Sequence, residues 1–119
     1  MAESVRAAGR GLLAAWRGEQ NFRLEVLIGM MVAVGLFALP FTAGERIGGL
    51  LLIGLVLSLE LVNTAVERLA DLLQPRLHPL VSLVKNTLAA ALLVAVLVAL
   101  IGGLVLFLPY LLRFFLGSW

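Results

Sequence analysis

Residues 80–108 run for 29 positions with Lys85 as the single charged side chain. A helix of ~20 apolar residues already crosses the hydrocarbon core of a bilayer. A second run, residues 47–73, is predominantly apolar, and a shorter one, residues 26–39, holds 14 uncharged residues before it meets Pro40. Lipid is the solvent that suits three such runs in one short chain. Composition agrees. Of the 119 residues, 62% are apolar and 13% charged, with a mean hydropathy of +1.10. A soluble domain carries about 25% charged residues, and a monomer of this size could not hide so much apolar surface. Disorder is excluded by the same numbers, and a collagen-like chain by the lack of any glycine triplet period. With no cysteine, there is no disulfide framework, zinc-thiolate site or cysteine nucleophile.

The first 25 residues differ from the rest, holding the seven charges Glu3, Arg6, Arg10, Arg17, Glu19, Arg23 and Glu25. Apolar side chains recur there at helical spacing through Val5, Ala8, Leu12, Ala15, Trp16 and Phe22. That pattern predicts a basic amphipathic helix lying in the headgroup plane over residues 1–22. It does not fit a signal peptide, because no long apolar run precedes a small-residue cleavage site. Starting the first span early, at residues 23–39, gives it sufficient length and places Arg23 and Glu25 at its membrane end. Pro40, Gly44 and the Glu45-Arg46 pair predict a turn over 41–46. Spans over 47–73 and 80–108 follow, separated by a link whose Pro75 and Pro79 interrupt the helix. The tail from Pro109, with Tyr110, Arg113, Phe114, Phe115 and Trp119, reads as an interfacial anchor.

The expectation is therefore a single all-α integral membrane domain over residues 1–119, with an N-terminal amphipathic surface helix and three transmembrane helices. Three spans put Arg6, Arg10, Arg17, Arg23, Arg68, Arg76 and Lys85 on one side, and only Arg46 and Arg113 on the other. Seven basic residues against two predict a cytoplasmic N-terminus in a cytoplasmic (inner) membrane. These nine charges serve orientation better than nucleic-acid binding.

The second span breaks its own pattern. Glu60, Asn63, Thr64, Glu67 and Asp71 fall at i, i+3, i+4, i+7 and i+11, on one helix face. Glu60 follows 13 uncharged residues and precedes six more. An ionisable group at such depth costs at least ~2.5 kcal/mol on insertion scales and marks a functional site by default. A polar stripe can simply join helices by hydrogen bonds. Three carboxylates on one stripe repel one another, however, and a divalent cation with oxygen ligands resolves that repulsion. Lys85 lies one turn into the third span, next to Asn86, and a lysine there either snorkels to the interface or faces the acidic stripe. As a compact point charge it suits phosphate. Glu19, alone, reads as a solvated surface residue. Carboxylates for a metal, a lysine for phosphate and a membrane surface together suggest phosphoryl transfer to a lipid. The alternative is a non-catalytic oligomeric membrane protein or a small cation pathway, which would need carboxylates spread along a bore. No P-loop, H-E-x-x-H or kinase catalytic loop occurs, and Gly9-x-Gly11-x-x-Ala14 lacks the preceding strand of a dinucleotide site.

The stretch Glu60-Leu-Val-Asn-Thr-Ala-Val-Glu67, followed by Asp71, His78-Pro-Leu and Lys85, resembles the signature of the small prokaryotic integral-membrane lipid kinases, the diacylglycerol and undecaprenol kinases. The segment from Ala14 to Glu25 resembles the part before that family's first span. The resemblance implies a homotrimer whose active sites lie at the cytoplasmic boundary and combine residues of neighbouring subunits. It implies ATP with Mg²⁺ as donor and the primary hydroxyl of diacylglycerol or undecaprenol as acceptor. Carried over by position, Glu60 would be the catalytic base with Asn63 beside it, and Glu19 and Glu67 would hold metal. Lys85 would hold phosphates, and Asp71, His78 and Asn86 would fall on the nucleotide side. His78-Pro-Leu leans toward the undecaprenol branch. Three departures stand out. Asn86 replaces the family's usual aspartate after the lysine, Leu77 replaces an aromatic before the histidine, and a basic residue that some members carry further upstream has no counterpart. Altered activity and altered nucleotide contacts are the expected consequences.

Overall fold

The computed structural model describes residues 1–73 and 78–117, apart from the side chain of His78. Most of the two-proline link, Leu77 and the Trp119 end of the anchor lie outside the described residues. Four helices account for nearly all of the rest: α1 (Ala2–Gly18), α2 (Gln20–Ala38), α3 (Ala43–Leu73) and α4 (His78–Leu116). The last three are long and apolar enough to cross a membrane. Most of their large apolar side chains face outward, as with Met31, Leu51 and Val105, which are 74%, 68% and 69% exposed. A protein turned apolar side out belongs in lipid.

Helix α1 follows the amphipathic pattern, with Glu3 in its first turn and Arg17 in its last, both favourable to the helix dipole. It ends sooner than expected. Glu19 is extended, at φ −123° and ψ 110°, directly after Gly18, whose low helix propensity weakens that turn. The surface helix therefore stops at Gly18 rather than residue 22, and Phe22 lies buried in the first turn of α2.

The α2–α3 hairpin departs from expectation in the same informative way. The predicted turn over 41–46 is shorter, because α3 starts at Ala43. Thr42 Oγ1 accepts from the Glu45 amide at 3.1 Å, and Glu45 Oε1 accepts from the Thr42 amide at 2.8 Å. This is a reciprocal capping box at the start of α3. Arg46 does not pair with Glu45. It donates from Nε to Leu36 O at 2.8 Å and from Nη2 to Leu39 O at 3.0 Å, satisfying end carbonyls of α2. Its guanidinium also lies 5.6 Å from the centre of the Phe37 ring.

The third span outruns its expected end at residue 108. Helix α4 continues through Pro109 to Leu116, so the tail is helical. Proline costs one backbone hydrogen bond there. Packing offsets it: Phe41 meets Phe107 edge to face at 5.1 Å and Tyr110 at 4.9 Å, and the Tyr110 hydroxyl donates to Pro40 O at 3.4 Å.

Helix α3 is the hub, packed on both α4 and α2, while α1 touches α2 and α3. Close approach of α2 and α3 depends on Gly49. A Cβ there would sit 2.7 Å from Leu36, which is fully buried. Between α2 and α4, over the floor of α3, runs a groove of about 410 Å³. Gly29, Leu36, Leu52, Val56 and Phe107 line it, and Glu25 is the one charged residue among its walls.

Candidate active site

The polar stripe of α3 meets its partners at the end of the bundle opposite the hairpin. Glu60 is 5% exposed and Thr64 4% exposed. The Thr64 hydroxyl donates to Glu60 O at 3.0 Å, a back-bond along the helix that leaves the Glu60 carboxyl free for other contacts. Glu19 and Glu67 lie close enough to act on the charge of Glu60, one from the α1–α2 break and one from two turns further along α3. The extended Glu19 turns the chain there, so this break carries a residue to the site. Of the sequence-predicted residues, Glu19 and Glu67 thus share the electrostatic neighbourhood of Glu60.

Lys85 reaches across from α4 to Asp71, with Nζ 3.9 Å from Oδ1. This long, solvent-washed pair contributes little energy, but it places the lysine beside the acidic stripe instead of in the interface. Asn63 is half-buried and Asn86 exposed. Neither makes a side-chain hydrogen bond among the described residues. The His78 side chain lies outside them.

The structure adds Glu25, a residue sequence reasoning left at the membrane end of the first span with Arg23 as its neighbour. Arg23 is exposed, whereas Glu25 turns inward to adjoin Glu60. Its Oε2 is buried with no hydrogen-bond partner. The signal was present: Glu25 precedes an unbroken apolar run, and an ionisable residue inside a span marks function as Glu60 does. A buried carboxylate oxygen without a donor is costly, and an incoming hydroxyl would satisfy it.

Among the described residues, no three metal-ligating side chains converge as a ready-made cage. Magnesium seldom needs one. It keeps several waters and is held through one or two carboxylates together with substrate phosphates. Glu19 and Glu67 offer hard oxygen ligands of that kind, each within electrostatic reach of Glu60, so the donor set fits a metal that arrives on a nucleotide. The arrangement as a whole offers carboxylates for a metal and for a hydroxyl, a cation beside them, and an apolar channel leading away from the deepest pair.

Comparison with known proteins agrees. Residues 6–107 match the family described as prokaryotic diacylglycerol kinase. The chain is 38% identical over 104 residues to an undecaprenol kinase of Bacillus subtilis (strain 168), covering 87% of this chain and 85% of that protein. It is 37% identical over 81 residues to a diacylglycerol kinase of Pseudomonas aeruginosa, covering 68% of this chain and 66% of that one. With the transmembrane helices, the acidic stripe and a family match over most of its length, the chain belongs to the prokaryotic diacylglycerol kinase family of membrane lipid kinases.

Proposed function

We propose that the protein is a homotrimeric kinase of the cytoplasmic membrane that transfers the γ-phosphate of Mg-ATP to the primary hydroxyl of a single-chain lipid alcohol of the undecaprenol type. The observation that carries this reading is half-buried Glu25, whose buried Oε2 lacks a partner at the wall of an apolar groove, next to buried Glu60. An apolar chain would lie between α2 and α4, and its hydroxyl would reach the two carboxyls. Glu60 orients that hydroxyl and takes its proton as the new bond forms, while Glu25 accepts a second hydrogen bond and fixes the approach. A carboxylate is a weak base for an alcohol. Phosphoryl transfer has a loose transition state, so alignment and charge neutralisation account for most of the rate, and a late proton transfer suffices.

Glu19 and Glu67 would hold the metal, which when bound neutralises phosphate charge. Lys85, beside Asp71, would hold phosphate oxygens, and Asn63 would support Glu60 from one turn away. The depth order supports this division. Glu60 lies two turns deeper in α3 than Glu67, so lipid would arrive from the bilayer and nucleotide from water. The excess of basic residues at this end supports a cytoplasmic placement. Crowding of the carboxylates at one end of α3 disfavours a cation pathway. The His78-Pro-Leu sequence supports an undecaprenol-type alcohol over diacylglycerol. The test is transfer of labelled γ-phosphate from Mg-ATP to each lipid in mixed micelles. Faster labelling of undecaprenol is expected; labelling of diacylglycerol alone would overturn the lipid assignment.

A further inference from the structure

Arg68 follows Glu67 directly and borders the polar stripe, one turn beyond buried Thr64. Its side chain crosses from α3 to the α1–α2 break. A Cβ at Gly18 would lie 3.0 Å from Arg68 Nη2, so the guanidinium rests close against this glycine and would have to shift slightly to make room for a larger residue. Glu19 is the next residue after Gly18, and Glu67 the one before Arg68, so the guanidinium rests against the backbone that carries one of the carboxylates proposed to hold metal. Arg68 nevertheless makes no ion pair with either of them. Among the described residues the ion pair within 4 Å is Lys85–Asp71. Lysine charge at this site is thus already shared with a carboxylate, whereas the guanidinium keeps its donors free.

We propose that Arg68 is a phosphate ligand of this site, contacting the nucleotide's phosphate oxygens from the Gly18 side. The inference rests on the phosphoryl-transfer reading above. A planar guanidinium can grip two phosphate oxygens at once, which an ammonium cannot. The same chemistry could be met by the headgroup phosphate of a surrounding lipid. Its contact with Gly18, the residue before Glu19, favours the nucleotide.

The full-length protein in mixed micelles tests this, with Arg68→Gln, Arg68→Lys and, as a surface control, Arg10→Gln. Helicity and oligomer size are checked for each. Two quantities are read: the KM for Mg-ATP and the KM for the lipid alcohol, each in zwitterionic micelles and in micelles doped with phosphatidylglycerol. Arg68→Gln should raise the KM for ATP by about tenfold, the effect of one charge-assisted hydrogen bond. The KM for lipid should stay constant in both micelles. Arg68→Lys should recover part of the loss, and Arg10→Gln should match the native chain. A Gly18→Ala variant, which pushes the guanidinium aside, should shift the KM for ATP in the same direction by less. An unchanged ATP KM in Arg68→Gln overturns the proposal, as does a defect that appears only with phosphatidylglycerol, which would assign Arg68 to headgroups. A native chain that neither phosphorylates lipid nor binds a fluorescent ATP analogue overturns the kinase reading and this inference together. Native activity with an indifferent Arg68 removes this inference alone.

Discussion

The two ends of the helical bundle handle polar groups in opposite ways. At the α2–α3 hairpin the polar groups are closed on each other: Thr42 and Glu45 cap reciprocally, Arg46 serves two carbonyls, and Tyr110 reaches Pro40. At the other end Glu25 Oε2 is buried without a partner, several carboxylates crowd Glu60, and the nearest ion pair is a loose 3.9 Å contact. Unsatisfied groups cost stability. Unsatisfied polar groups at one end suit the ligand-binding role proposed for it, while the satisfied groups at the other hold the helices together.

The largest effect that could break this contrast is at Glu60. Glu60→Gln keeps the volume and removes the proton acceptor, so turnover should fall by about 10²–10⁴-fold. Detergent-unfolding midpoints should stay level or rise, because an amide relieves the carboxylate crowding. Glu67→Gln should likewise abolish kinase activity with little loss of oligomer. Near-native turnover of that purified variant at saturating Mg²⁺ would show its metal role to be wrong.

The hairpin should respond in reverse. Arg46→Met strips two charge-assisted hydrogen bonds and should lower stability by about 2 kcal/mol, read as a lower unfolding midpoint in a denaturing-detergent titration. Turnover per folded molecule should not change. Thr42→Ala should lose about 1 kcal/mol through the cap, again without a kinetic effect. A large fall in turnover for either variant at full folding would erase the distinction between the two ends.

How far the sequence revealed these ends differs between them. The spans and the stripe of Glu60, Glu67 and Asp71 were legible because helical periodicity survives translation into three dimensions. At the hairpin, Gly44 and the Glu45-Arg46 pair look like turn residues in the sequence, whereas Thr42, three residues ahead of Glu45, caps a helix that starts at Ala43. The α4 extension was missed because Pro109 signals an end, and only packing against Phe41 keeps the helix going. Glu25 is harder to find, because the sequence places it with Arg23 at the membrane end of the first span. The side chains point in different directions, which spacing alone did not settle.

Asn86 gives the smallest expected effect and the finest test. It is exposed beside Lys85, and asparagine lacks the charge of the aspartate that the family resemblance leads one to expect there. No other carboxylate in α4 compensates. Asn86→Asp should therefore raise the initial rate at saturating ATP and lipid by a few-fold. An equal or lower rate with the oligomer intact would show that this chain works without that charge.

The central claim is that the open end of the bundle moves phosphate from nucleotide to a lipid hydroxyl. The direct measurement is the native protein, in mixed micelles with Mg-ATP labelled at the γ-position, assayed for label in the lipid phase with undecaprenol and with diacylglycerol. The account predicts magnesium-dependent labelling of lipid that disappears in Glu60→Gln. Unlabelled lipid from a folded native protein, or labelling that survives in Glu60→Gln, would contradict it.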